Sequence, residues 1–334
     1  MIHHEYSIAG HNIETPLVNS AGSINGTSRE LVLREVDILA STAIGAITVG
    51  SFTVPRQEGN DVLFGSPTYF HDTKTATTYN SMGLPNIGLL AAKELMPEIL
   101  KRAHEKGKPV IASVASTLHS RANGDSFEQL ERLIYEMQLT GVDMIEVSPG
   151  SPNTITPEGG RKSLIAYDYR EMEELIARLA QLDNISDSSV GLKLPPYTSD
   201  EQKNTAIKLA TLINRWQTFE FIVTANTIPN QLVLNEKNKP VLAVPSGEAG
   251  MCGPSTKEVG REQLRLWREL LDDSIDIVST LGLDSGKELA VRCELGASAT
   301  GGVTFLWESD NWGRAVSDII SDWVDEKDEL NSAS

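Results

Sequence analysis

The chain has 334 residues, of which 40% are hydrophobic and 22% charged, and its formal net charge is −17. This composition is typical of a globular protein with a sizeable core, and the negative charge argues against nucleic acid or an anionic membrane surface as a partner. With only two cysteines, Cys252 and Cys293, we expect no disulfide framework, no iron–sulfur centre and no metal site. No apolar run approaches the length of about 20 residues that a membrane helix needs, so we expect a soluble, cytoplasmic protein.

Short runs of β-type residues alternate with amphipathic helical stretches along the chain. Apolar strands separated by helices indicate a parallel sheet covered by helices. About eight such units predict the α/β class and a single (β/α)8 TIM barrel domain over residues 1–334. A doubly wound open sheet is less well supported because no GxGxxG follows the first strand. The predicted strands are PLVNSAG (16–22), GAITVGS (45–51), PVIASVA (109–115), DMIEVS (143–148), VGLKLP (190–195), FEFIVTAN (219–226), IDIVST (275–280) and ASATGGV (297–303).

Two long segments interrupt the repeat. Residues 52–80 form an insertion after the second strand, and QLVLNEKNKPVLAVPS within residues 227–254 predicts a β-hairpin. Both segments begin at the carboxyl end of a strand, where barrel enzymes carry their chemistry. The acidic residues 326–334 are expected to be a frayed tail.

Polar residues follow the predicted strands at the end where a barrel would bring them together. Asparagine side chains there suit a planar, amide-rich ligand, although one such residue alone is more often a loop cap. Lys193 lies inside an apolar strand, where an unpaired ammonium is costly, so a functional role is favoured. The set comprises Asn19, Ser51, Asn80, Ser148, Ser151, Asn153, Lys193, Asn226 and Thr227.

Five motifs carry a resemblance to a known family. They are NSMGLPN (80–86), VGLKLPPY (190–197), TANTIPN (224–230), AGMCGP (249–254) and STLGLDSG (279–286). In this order they resemble the dihydroorotate dehydrogenases, most closely the class 1 branch, over about residues 13–325. The resemblance implies an FMN-binding barrel that removes two hydrogens from a dihydropyrimidine ring. For a class 1A member it also implies a homodimer and a soluble electron acceptor such as fumarate, whereas class 1B needs an iron–sulfur partner subunit.

The resemblance also assigns a flavin site. Small residues are implied beneath the flavin ring, Lys193 at its pyrimidine end, and two glycine turns around its phosphate. The implied cofactor residues are Ser20, Ala21, Gly22, Lys193, Gly250, Gly253, Thr280, Gly282, Ser285, Gly286 and Thr304.

On the substrate side, Ser151 matches the position of the family's catalytic base. Class 1 members have cysteine there and class 2 members serine, so this chain combines a class 1 body with a class 2 type of base. A serine hydroxyl needs a relay or a water to accept its proton. The implied substrate residues are Asn80, Met82, Gly83, Leu84, Ser148, Asn153, Asn226 and Thr227.

Three departures from the family pattern touch polar recognition of the substrate. Gly50 replaces a lysine, Ser148 replaces an asparagine, and the loop from residue 55 lacks its second arginine. We expect Arg56 or another loop residue to supply the missing cation. Two alternatives stay open: a flavin oxidoreductase for a related ring without the carboxylate, and a catalytically weak flavin-binding homologue.

Overall fold

The computed structural model describes residues 6–117, 125–149, 164–182 and 186–333. The chain starts with an antiparallel hairpin of β1 (Tyr6–Ile8) and β2 (His11–Ile13). Ile8 and Ile13 are buried in a cluster with the inward-facing residues Val18, Ile111 and Val278 of the following sheet. The hairpin therefore plugs the barrel at the amino-terminal ends of its strands.

Eight parallel strands form the barrel, which confirms the predicted fold class and all eight predicted barrel strands. They are β3 (Leu17–Asn19), β4 (Ile47–Phe52), β7 (Val110–Ala115), β8 (Met144–Ser148), β9 (Ser189–Lys193), β10 (Phe221–Val223), β13 (Asp276–Ser279) and β14 (Ala299–Gly302). Their order in the sheet is β3, β14, β13, β10, β9, β8, β7, β4. A parallel bridge between Val18 and Ala46 joins the two outer strands, so the sheet closes on itself.

Helices surround the barrel, and their ends follow local capping chemistry. Asp125 and Ser199 each begin a helix with a capping box, in which the side chain three residues later bonds back to the cap. Apolar side chains on the inner helix faces pack against the strands in one continuous core. The helices are α1 (Arg29–Ala40), α2 (Asn60–Phe64), α3 (Gly88–His104), α4 (Ser126–Gln138), α5 (Tyr169–Leu179), α6 (Asp200–Trp216), α7 (Lys257–Leu270), α8 (Gly286–Glu294), α9 (Thr304–Trp307) and α10 (Trp312–Ala333).

A four-stranded antiparallel sheet covers the carboxyl ends of the barrel strands, and we call it the capping sheet. Its order is β11 (Ile228–Leu232), β12 (Glu248–Cys252), β6 (Thr77–Asn80), β5 (Tyr69–Asp72). The two predicted insertions thus join into one element. The predicted hairpin differs in detail, because β11 pairs with β12, while the two predicted runs meet through a bridge between Leu234 and Pro240 and a hydrogen bond from Val241 N to Val233 O at 3.0 Å.

The chain terminus is helical rather than frayed, which corrects the expectation for residues 326–334 as far as residue 333. Helix α10 continues to Ala333. Lys327 lies over the rings of Tyr6 and Trp323, at 5.4 and 5.5 Å from their centroids, and Glu326 pairs with Lys287 at 3.4 Å. These contacts hold the helix where its acidic composition suggested a solvated end. In the described ranges, no helix is both long and apolar enough to span a bilayer.

Candidate active site

A cavity opens between the barrel strands and the capping sheet. It encloses about 810 Å³ of space, part of it open to solvent, and a second cavity of about 490 Å³ lies beside it. We call them the outer and inner cavities. Seven residues line both of them, including Lys193, Asn226, Thr227 and Cys252. The two cavities are therefore adjacent and share a wall.

The structure brings together most of the side chains that the sequence singled out. The outer cavity is lined by Ala21, Gly22, Ser51, Asn80, Met82, Gly83, Leu84, Ser148, Lys193, Asn226, Thr227 and Thr304. The inner cavity adds Ser20, Gly253, Thr280 and Gly282. Ser151 and Asn153 lie outside the described residues.

Three predicted cofactor residues, Gly250, Ser285 and Gly286, do not line either cavity. Gly250 pairs with Asn80 between β12 and β6. Ser285 caps α8 by accepting the amide of Glu288. A Cβ at Gly286 would lie 2.0 Å from the backbone nitrogen of Trp323, so that glycine allows α10 to pack closely. The structure thus gives these three residues a strand pairing, a helix cap and a close helix contact, and their role toward a cofactor stays a prediction.

Lys193 belongs to a buried polar chain that crosses four neighbouring strands. Its Nζ lies 3.4 Å from Oε1 of Glu146, and the two side chains are 7% and 4% exposed. Ser113 Oγ donates to the same Glu146 oxygen at 2.8 Å, and Ser51 Oγ lies 2.9 Å from Ser113 Oγ. A carboxylate partner offsets part of the cost of burying an ammonium. This polar network thus places the Lys193 ammonium at the cavity wall, and Ser51, at the other end of the network, lines the same cavity.

Sequence reasoning missed Glu146. Glu146 is a charge inside the apolar run VDMIEVS (142–148), just as Lys193 is a charge inside an apolar strand. Glu146 and Lys193 sit on adjacent strands, β8 and β9, whose register pairs Glu146 with Gly191. Because side chains alternate in a strand, Glu146 and Lys193 project from the same face.

Two buried asparagines donate hydrogen bonds to the backbone of the loop that carries Met82, Gly83 and Leu84. The Asn60 amide donates to Met82 O at 2.7 Å, and its side chain donates to Ser81 O at 2.8 Å. Asn86 donates to Leu84 O at 2.8 Å. Gly83 and Leu84 both have left-handed backbones, with φ of 76° and 55°, an uncommon conformation for leucine. The loop is therefore fixed in a strained form at the cavity edge, as ligand-binding loops often are.

A turn of positive-φ residues forms the wall of the inner cavity. Leu281 and Gly282 have φ of 68° and 79°, and a Cβ at Gly282 would lie 2.4 Å from the backbone of Lys257. Nearby, the hydroxyl oxygens of Ser20 and Thr227 are buried and have no hydrogen-bond partner among the described residues. Unpaired buried hydroxyls are costly. They fit a cavity in which a ligand supplies the missing partners.

Aromatic residues close the outer side of the outer cavity. Tyr69 and Trp307 meet edge to face, with centroids 5.3 Å apart, and Tyr69 and His71 both contact the carboxylate of Glu308. Burial, and then the bond to Glu308, raises the pKa of Tyr69, so its hydroxyl stays protonated. Burial likewise raises the pKa of Cys252, which leaves that thiol neutral at the cavity wall.

The expected substitute cation at Arg56 is not at the site. Arg56 pairs with Glu58 at 2.7 Å, both side chains being 52% exposed, and it lines neither cavity. The backbone also explains the missing lysine. Gly50 has φ of 92°, and a Cβ there would lie 2.7 Å from Ser113 O. A side chain at residue 50 would therefore require a different course of β4.

A barrel with a buried cation, amide side chains and a fixed loop at the carboxyl ends of its strands is an enzyme scaffold that suits a flat, polar ring. The family model for dihydroorotate dehydrogenase matches residues 4–323. The chain therefore belongs to the dihydroorotate dehydrogenase family and is an oxidoreductase.

Individual relatives are distant but cover most of the chain. The probable dihydroorotate dehydrogenase A (fumarate) of Enterococcus faecalis is 25% identical over 302 residues, 87% of this chain and 83% of the relative. The dihydroorotate dehydrogenase (fumarate) of Lachancea kluyveri is 26% identical over 290 residues, 86% and 82% of the two chains. The crystal structure of the Eimeria tenella enzyme in complex with ferulenol shares the fold, with a TM-score of 0.73, 16% identity, and coverage of 98% of this chain and 85% of that one.

Proposed function

We propose that this protein oxidises dihydroorotate to orotate with bound FMN, and that Ser151 is the base. The observation that carries this proposal is Lys193, paired with the buried Glu146, in the wall shared by the two cavities. A flavin ring in that space would lie beside the Lys193 ammonium, with its phosphate arm toward the turn at Leu281 and Gly282. The unpaired hydroxyls of Ser20 and Thr227 support a polar ligand in the same place.

Each side chain has a defined task in this reaction. FMN supplies the acceptor for the hydride that leaves one ring carbon. Lys193 provides positive charge where negative charge develops on reduction. Asn80, Asn226 and the backbone of residues 82–84 orient the substrate ring, and Ser151 removes the proton from the neighbouring carbon. The two hydrogens lost by the ring are thus one hydride and one proton.

A second candidate substrate is a related dihydropyrimidine without the carboxylate. Glu146 already compensates the charge of Lys193, Gly50 stands where the family resemblance implies a lysine, and Arg56 pairs with Glu58 outside the cavity. A charge-assisted hydrogen bond is worth about 1.5–3 kcal/mol. A substrate carboxylate therefore loses about ten- to hundredfold in affinity when that contact is missing.

One anaerobic experiment separates these candidates. We expect the purified protein to be yellow, and dihydroorotate to bleach its visible flavin band faster than dihydrouracil at equal concentration. Faster bleaching by dihydrouracil would support the ring without a carboxylate. If neither compound bleaches the bound flavin, the protein is a flavin-binding homologue and the proposed activity is wrong.

Replacing Ser151 with alanine is expected to leave FMN bound and to slow flavin reduction by about 10²- to 10⁴-fold, because the proton then has no positioned acceptor. Ser151→Cys is the matched control, since the resemblance to class 1 implies cysteine there, and it should retain most activity. Stopped-flow absorbance measures these rates, and full activity in Ser151→Ala would remove that residue from its role.

Because a hydroxyl base works better at high pH, we also expect flavin reduction in the wild-type protein to accelerate toward alkaline pH. The same stopped-flow measurement, repeated across the pH range, checks this expectation.

The remaining features of the proposal come from the relatives. Both named relatives carry fumarate in their descriptions, so we propose fumarate or a similar soluble oxidant as the electron acceptor. A cytoplasmic location and a homodimer belong to the same proposal. Turnover with fumarate and the mass of the protein in solution test these points.

A further inference from the structure

Arg292 on α8 is fully buried, and its guanidinium donates hydrogen bonds to the turn that borders the inner cavity. Nη1 donates to Ser279 Oγ and to Thr280 O, both at 2.8 Å, and Nη2 donates to Leu281 O at 2.5 Å. Its exposed fraction is 0%. The side chain therefore fixes two successive backbone carbonyls of this turn from the side of α8.

These contacts set the direction of two backbone amides. In a planar trans peptide the C=O and the following N–H point in opposite directions. Because the carbonyls of Thr280 and Leu281 point to Arg292, the N–H groups of Leu281 and Gly282 point the other way. Leu281 and Gly282 line the inner cavity, and backbone amides presented in this way are suited to binding an anion.

The turn needs such support because its backbone is strained. Leu281 has φ of 68° although it is not glycine, and this conformation persists only where the surroundings impose it. Arg292 is itself anchored, since its Nε lies 2.8 Å from Oε1 of Glu288, which is 1% exposed and also binds Arg261 at 2.5 Å. The side chain of Arg292 is thus held in one position, unlike a flexible charged side chain on the surface.

We propose that Arg292 is a positioning residue for the flavin phosphate: it aims the amides of Leu281 and Gly282 into the inner cavity. The inference rests on the FMN site of the proposed function and is independent of the substrate. It predicts an effect on the phosphate alone, because Arg292 touches the turn and does not line either cavity.

The test compares FMN with riboflavin, which has the same ring and no phosphate. The full-length protein is loaded with either flavin, and dissociation constants are measured from the fluorescence of flavin released on dilution. A lysine ammonium lacks the planar fork of the guanidinium, which donates to Ser279 Oγ and to both carbonyls from separate nitrogens. We expect Arg292→Lys to weaken FMN binding by about 10- to 100-fold and riboflavin binding by less than about twofold. Glu288→Gln, which loosens the anchor, should give a smaller loss that is also specific to FMN.

Arg268 is a matched control. It also donates to backbone carbonyls, those of Leu271, Asp272 and Ile275, but at the end of α7 that lies away from the cavity. Arg268→Lys should leave both dissociation constants unchanged, and thermal unfolding monitors the stability of every variant.

Three outcomes would overturn the inference. Equal losses of affinity for FMN and riboflavin in Arg292→Lys would mean that the arginine only stabilises the fold. An unchanged FMN affinity would mean that the contacts of Arg292 with the turn are not needed for phosphate binding. If the wild-type protein shows no preference for FMN over riboflavin, the phosphate site of the proposed function fails together with this inference. A normal preference for FMN combined with no reduction by dihydroorotate would refute the proposed substrate alone.

Discussion

Replacing Lys193 with methionine is expected to slow reduction of the bound flavin by about 10²- to 10³-fold, because the positive charge that stabilises the reduced ring is lost. Methionine keeps the length and the apolar stem of the side chain, so the change mainly removes the ammonium. The same change leaves the carboxylate of Glu146 buried without its partner, which we expect to lower the free energy of unfolding by about 3–5 kcal/mol. Stopped-flow reduction and denaturant unfolding measure the two effects.

The double variant Lys193→Met with Glu146→Gln separates these effects. It removes both members of the ion pair, and the amide oxygen of the new side chain can still accept the hydrogen bond from Ser113. We expect most of the stability to return while flavin reduction stays slow. If reduction recovers together with stability, the lysine supports the fold and has no direct part in the chemistry.

The second large effect is expected at Gly83. Alanine there would place its Cβ 2.4 Å from Oδ1 of Asn60, at a backbone φ of 76°. Asn60 cannot move without losing its bond to Ser81 O, so the loop of residues 82–84 must shift. A shift of this loop should lower kcat/KM for the ring substrate by about 10- to 100-fold and leave FMN affinity unchanged.

Gly65→Ala is the control for backbone strain. Gly65 also has a positive φ, 95°, but a Cβ there meets nothing within 4 Å. Its substitution carries the conformational cost without the collision, so we expect kcat/KM within about threefold of wild type. Equal losses in both variants would mean that strain, rather than the position of the loop, controls the site.

The barrel could be predicted from the sequence because its strands are short, apolar and regularly spaced. Every predicted barrel strand is present, with boundaries displaced by at most three residues. The capping sheet could not be predicted in full, because its pairing is not local: β12 pairs with β6, and Asn80 reaches Gly250 across 170 residues. Register between such distant strands leaves no signal within either segment.

A residue of the candidate site could be predicted from the sequence where a charged side chain interrupts an apolar strand. Lys193 in an apolar strand was recognised, and Glu146 carries the same signal. Arg292 carries none, because arginine on an amphipathic helix normally faces solvent. Only the packing of α8 against the turn at Thr280 reveals that this arginine is buried.

The division between barrel and capping sheet has a consequence for how such an enzyme can diverge. Asn80 and Tyr69 lie on strands of the capping sheet and line the outer cavity, and neither belongs to the main apolar core. We expect exchanges of residues on these strands to alter the preferred ring while the closed cylinder beneath keeps its folding free energy. Choice of substrate and thermodynamic robustness can therefore change independently in this architecture.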